Sequence, residues 1–156
     1  MRRYISKSKL EQCAKCIDGG LKHDFDPSCF HSMYPRTEME NGLYATNDFA
    51  DASDVMRYKV CNGVGSRVGT MGKITYHLIP ETIYGLNIRA CANVHDWDYC
   101  FLPRNDKSKE DADRQFLANI YIKINKGSWW LRFVRRRRAW LYYWAVRYLG
   151  RESYYN

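Results

Sequence analysis

The chain has 156 residues, 46% of them hydrophobic, which is enough for one domain with a real core and too few for two comfortable ones. That content excludes a disordered chain, and no run of 18 apolar residues is present to form a bilayer-spanning helix. Twenty-five basic against 17 acidic residues leave a net charge of +8, and with aromatics at 15% this suits an anionic partner, either a membrane surface or nucleic acid.

The first ten residues hold no apolar h-region, so no secretory signal is expected there. The expectation is a protein made in the cytoplasm that acts at a membrane surface or is exported by a non-classical route. Its six cysteines are then expected as free thiols or metal ligands, with local disulfides as the rival.

Residues 4–18 read as a short helix stopped by Gly19-Gly20. From Asp24 to Ser53 the periodicity is poor and Pro27, Pro35 and Asn41-Gly42 interrupt it, which predicts a loop-rich segment. Cys13-x-x-Cys16, Cys29 and His31 are candidate zinc ligands here, where a metal would add stability that a thin core lacks. The alternative is a pair of buried thiols on a helix. His23-Asp24 lies too close to Gly19-Gly20, and precedes no apolar helix, so it is not taken as a catalytic pair.

Residues 61–72 contain four glycines and cannot form a regular helix, and 73–79 alternate weakly as a short strand. Asn87 is placed to cap a helix over 88–101 whose stripe is Ile88, Ala92, His95, Tyr99 and Leu102. Ser108 followed by Asp111 is a variant capping box opening a helix over 109–126, with Asp113, Leu117, Ile120 and Ile124 on one face. Gly127-Ser128 breaks the chain before a third helix, 129–149, ended by Gly150. No repeat or low-complexity linker divides this pattern. The reading is a single, mainly α domain: an N-terminal helix and loop-rich segment (1–57), a core (58–126) and a basic aromatic helix (127–156).

His95 and Asp113 both sit inside apolar stripes of consecutive helices. Burying two polar groups is costly unless they meet, so packing by those stripes joins an imidazole to a carboxylate. That is a base with its orienter, as in hydrolytic sites. Asp96 lies about 100° further round the helix and faces elsewhere, towards a loop. The turn Cys61-Asn-Gly63-Val-Gly65 is the natural partner. Carbonyls of Cys61, Gly63 and Gly65, with two oxygens of Asp96, would make most of a calcium shell. The competing view is a satisfied core histidine beside a helix-capping Asp, with glycines that only make a tight turn.

Taken together, Cys61-Asn-Gly-Val-Gly65, His95-Asp96-Trp-Asp-Tyr99 and Asp113-Arg114 resemble the calcium-dependent phospholipase A2 superfamily, most closely its compact branch of parvovirus, prokaryotic and phage proteins. The family motifs are a Tyr-x-Gly-x-Gly calcium loop, a His-Asp-x-x-Tyr helix and a second helix bearing an Asp. Cys61 stands where the family has an aromatic residue, and the stretch from Gly65 to His95 is longer than usual. Only Cys91 stands where many secreted members pair cysteines, so their disulfide bracing is not implied. The resemblance spans roughly residues 58–122. It implies two packed antiparallel catalytic helices and calcium-dependent hydrolysis of the sn-2 ester of phospholipids by a water that His95 deprotonates. It further implies that Asp113 orients His95, that Tyr99 supports Asp113 and that the backbone N–H near Gly63 helps hold the oxyanion.

In the third helix, Trp129, Trp130, Phe133, Val134, Trp140, Leu141, Trp144 and Tyr148 fall in one sector at about 100° per residue, with arginines mostly outside it. A basic helix with a Trp-rich face has the composition of an interfacial anchor. Trp129, Trp130, Arg135, Arg136, Arg138, Trp140 and Trp144 are therefore candidate contacts to a phospholipid surface. The alternative is that the aromatic face packs on the catalytic helices. Two other functions compete: a catalytically silent phospholipase A2-like module of a phage or injection-type assembly, and a basic nucleic-acid-binding protein using Arg135–Arg138 and a zinc site.

Overall fold

In the computed structural model the chain is described over Pro27, residues 30–61 and residues 81–155. The helix expected over 4–18 and the strand expected over 73–79 lie outside the described residues, as does most of the glycine-rich turn. What is described is mainly helical, with two small sheets.

The segment read as loop-rich carries a hairpin instead. Strands β1 (Arg36–Glu38) and β2 (Tyr44–Thr46) pair antiparallel, with Arg36 opposite Thr46 and Glu38 opposite Tyr44. Glycine makes the turn: Gly42 sits at φ +78° and donates its N–H to the Met39 carbonyl at 2.7 Å, while Asn41 Oδ1 accepts from the Leu43 N–H at 3.0 Å. Leu43 and Ala45 are fully buried and Tyr44 between them is exposed, the two-residue period of a strand with one wet face. With only three residues per strand, that period is too short to stand out in the sequence. Two short helices follow, α1 (Asn47–Asp51) and α2 (Asp54–Lys59), the second capped by Ser53 accepting from Met56 N–H.

A second, unanticipated hairpin joins β3 (Thr82–Ile83) to β4 (Leu86–Asn87) through Tyr84 and Gly85, both at positive φ. Helix α3 (Arg89–Phe101) then forms close to the expected bounds, and Asn87 Oδ1 accepts from Arg89 N–H at its start. Helix α4 (Asp106–Lys126) begins three residues earlier than expected. Its cap is Asn105, accepting from Ser108 N–H at 2.9 Å, so Ser108 and Asp111 lie inside the helix rather than capping it. A 3-10 turn over Trp129–Leu131 leads into α5 (Arg132–Leu149), and a short α6 (Arg151–Tyr155) follows Gly150.

Helix α4 is the centre of the molecule. Its expected face of Asp113, Leu117, Ile120 and Ile124 is buried, but so are Phe116, Tyr121 and Asn119 around it, because α3, α5 and the first hairpin all pack on it. Asn119 fastens the hairpin: its Oδ1 accepts from Tyr44 N–H at 3.0 Å and its Nδ2 donates to the Tyr44 carbonyl at 2.9 Å. The stripe that α5 turns inward is Arg135, Ala139, Tyr142, Tyr143 and Val146, spaced i, i+4, i+7, i+8, i+11. Among the described residues no helix is long and apolar enough to cross a membrane.

Candidate active site

Helices α3 and α4 bring His95 and Asp113 together. The His95 side chain is buried between the rings of Tyr99 and Phe116, at centroid distances of 4.1 and 4.9 Å. Its Nε2 lies 2.9 Å from Asp113 Oδ1. Since an ionised carboxylate only accepts, this bond assigns the proton to Nε2 and leaves the Nδ1 lone pair available. No hydrogen bond among the described residues reaches Nδ1.

Asp113 is fully buried at mid-helix, so it is not a capping residue. Tyr99 Oη donates to Oδ1 at 2.6 Å, and Lys109 Nζ donates to Oδ2 at 2.8 Å. Burial opposes ionisation of this carboxyl, but its bonds from His95 and Lys109 outweigh that cost and hold it below the usual carboxylate range. Burial, and then the adjacent carboxylate, keep the Tyr99 phenol protonated.

Lys109 was not singled out from the sequence. It is 2% exposed, and burial draws its ammonium below the ordinary lysine range against the opposing pull of Asp113. Its other donors go to the carbonyls of Val146, at 3.0 Å, and Arg147, at 3.2 Å, at the end of α5. The lysine therefore ties the Asp113 carboxylate to that helix. A Lys–Asp pair four residues apart on a predicted helix was the available signal. Gly150 completes the junction: an added Cβ there would press on the Val146 carbonyl and stand 2.8 Å from the Tyr99 hydroxyl.

Asp96 faces away from this cluster. No hydrogen bond or ion pair among the described residues reaches its carboxylate, and burial pushes its acid form up to about 7. Beside it is Cys61, the first residue of the glycine turn, whose Sγ donates to the Asn93 carbonyl at 3.2 Å. Burial, and then the charge of Asp96, push the Cys61 thiol up to about 12. Asn93 and Asp96 share a face of α3, so Cys61, the last described residue of this segment, stands on the side of α3 that carries Asp96. Gly63 and Gly65 lie outside the described residues.

A second buried cluster was not legible at all. Arg36 on β1 donates to Asp98 Oδ2 at 2.6 Å and to Asp111 Oδ2 at 3.1 Å, from 62 and 75 residues away in sequence. Ser32 and the Met33 N–H also bond Asp111. Asp98 follows Trp97 in the His-Asp-x-x-Tyr stretch, so this clasp holds the same helix turn from its other side. Burial pushes the Asp98 acid form up to about 7 despite Arg36.

Of the candidate zinc ligands, Cys13, Cys16 and Cys29 lie outside the described residues, and His31 is exposed. Among the described residues no three His, Cys, Asp or Glu side chains are grouped to hold a metal. Trp129 and Trp130 are exposed in the 3-10 turn; on α5, Arg136 and Arg138 are exposed, and Trp140 and Trp144 are partly buried against the core. Arg135, expected at the lipid surface, is instead buried and donates to the Tyr84 carbonyl at 2.8 Å. Its place on the inward stripe, beside Ala139, accounts for the difference.

No protein-family model matches the chain, and no curated protein or solved structure does so either.

Proposed function

We propose that the chain hydrolyses the sn-2 ester of phospholipids with a water activated by His95 and Asp113, in the manner of a compact calcium-dependent phospholipase A2. The observation that carries this reading is the Nε2 bond to a fully buried Asp113, which leaves the Nδ1 lone pair without a bond among the described residues. The packing along α3 and α4 supports the antiparallel helix pair it requires: His95 meets Asp113 and Phe116, while Cys91 shares a core with Ile120 and Ile124.

In this mechanism Nδ1 takes a proton from water as the oxygen adds to the ester carbonyl. Asp113 stabilises the imidazolium as it forms, without taking the proton itself. His95 then returns that proton to the departing lysophospholipid oxygen, so no acyl-enzyme forms. Tyr99 and Lys109 keep Asp113 ionised and in place throughout.

Asp96, with the carbonyls of Cys61, Gly63 and Gly65, would hold calcium. A carboxylate with no hydrogen bond or ion pair among the described residues, beside Cys61 (itself two residues short of Gly63 in sequence), fits a hard cation better than a structural role. Bound there, calcium supplies positive charge that polarises the ester carbonyl, and the backbone N–H near Gly63 adds a donor for the oxyanion.

Calcium titration by calorimetry, paired with fatty-acid release from mixed phospholipid vesicles, tests this assignment. Asp96→Asn should abolish both calcium binding and release, and chelator should stop the wild type. Calcium bound without turnover would leave the silent phospholipase A2-like module. Release that persists in chelator would remove calcium from the mechanism.

A further inference from the structure

We infer that the outward face of α5 is a docking surface for an anionic phospholipid bilayer. This goes beyond the hydrolytic reading, since it stands on residues that do not touch the His95 site. The inward stripe of α5 runs through Arg135, Ala139, Tyr142, Tyr143 and Val146. At about 100° per residue the centre of the opposite face falls at Arg137, among Phe133, Leu141 and Tyr148, with the partly buried Trp144 beside it. Those three are 59–71% exposed, and Trp129 and Trp130, exposed in the 3-10 turn, precede the helix. This outward side therefore turns bulky apolar side chains to water. From Phe133 to Tyr148 it extends for about 23 Å.

Its charge is equally one-sided. From Ser128 to Gly150 the chain holds no acidic residue. Among the described residues no carboxylate lies in ion-pair reach of Arg136, Arg137 or Arg138. They rest instead on neutral partners: Arg136 on Asn125 and the Tyr121 ring, Arg137 over Phe133, and Arg138 on Tyr142. Stacking on rings holds Arg136 and Arg138 along the flanks of the apolar strip and Arg137 at its centre, without neutralising them. Uncompensated arginines bordering Trp, Phe and Leu complement anionic headgroups above acyl chains, which take up both features at once. A phosphate backbone satisfies the arginines but gives Leu141 and Phe133 nothing to enter. The face lies on the far side of α5 from α4, so docking would tether the enzyme without covering the helix pair.

Co-sedimentation with vesicles tests this, run in chelator so that hydrolysis is off. Wild type should sediment with phosphatidylcholine vesicles containing phosphatidylserine, with a blue shift of tryptophan emission, and much less with phosphatidylcholine alone. Arg136→Gln/Arg137→Gln/Arg138→Gln should weaken binding by roughly a hundredfold. Trp130→Ser/Phe133→Ser/Leu141→Ser should remove the blue shift and most of the binding. These are surface positions, and unchanged circular dichroism would show that the variants fold. His95→Ala should bind like wild type.

Binding left intact in either triple variant would overturn the proposal. So would failure to sediment with the anionic vesicles, or tighter binding to duplex DNA that the apolar triple does not affect. The hydrolytic reading is judged separately, on a monomeric short-chain phospholipid; its failure there leaves the docking result standing.

Discussion

Asp113 accepts hydrogen bonds from three side chains with two oxygens, and Arg147 stands 3.9 Å away as a further cation; removing Lys109 should have a distinct consequence. Lys109 is a positioning residue: it touches Asp113 and the α5 carbonyls but not the reacting atoms. Lys109→Met should lower kcat with KM little changed, and cost about 3–5 kcal/mol by stranding a buried carboxylate. Lys109→Arg should restore part of kcat, which recovery of stability alone would not do. A KM effect without a kcat effect would assign the lysine elsewhere. Asp113 itself predicts a pH dependence. Its folded-state carboxyl is held below its ordinary value of 3.8, so its stabilising contribution is present above that value and is lost as pH falls through the folded one. Asp113→Asn should be less stable than wild type near neutrality, with the gap closing only as pH drops below about 3.8. Thermal unfolding across pH measures that gap.

At the scale of elements, two contacts decide how the helices are held. Gly150 lets the end of α5 approach Tyr99. Gly150→Ala should destabilise the fold by about 1–3 kcal/mol and lower activity in step, read by denaturant unfolding and initial rates. Arg36 bridges Asp98 on α3 and Asp111 on α4 from the first hairpin. Arg36→Met leaves two carboxylates buried without their cation and should cost about 3–5 kcal/mol. The helices themselves were legible, because the stripes through His95 and through Leu117, Ile120 and Ile124 repeat over several turns. The hairpins were not, since strands of two or three residues show little period. The Arg36 clasp was invisible for a different reason: it joins residues more than sixty positions apart and has no local pattern. On α5 the aromatic sector was readable from the sequence, but which way it faced was not. Ala139, Tyr142, Tyr143 and Val146 face inward by packing in the core, and Arg135 on the same stripe is satisfied by the Tyr84 carbonyl.

The whole molecule is organised around α4, with one helix on it carrying His95 and another carrying both the outward aromatic face and the carbonyls that hold Lys109. Within the candidate site, the pairing of His95 with Asp113 followed from the cost of burying each alone. Helix geometry turned Asp96 away from the face of His95, while Gly63 and Gly65, the expected partners, lie outside the described residues. The most direct test of the central claim is the initial rate of release of sn-2-labelled fatty acid from phospholipid vesicles in calcium, comparing wild type with His95→Ala. The account predicts calcium-dependent release at sn-2 by wild type and a loss of about 10²–10⁴-fold in the variant. Release by His95→Ala at the wild-type rate, or none by the wild-type protein, would contradict it.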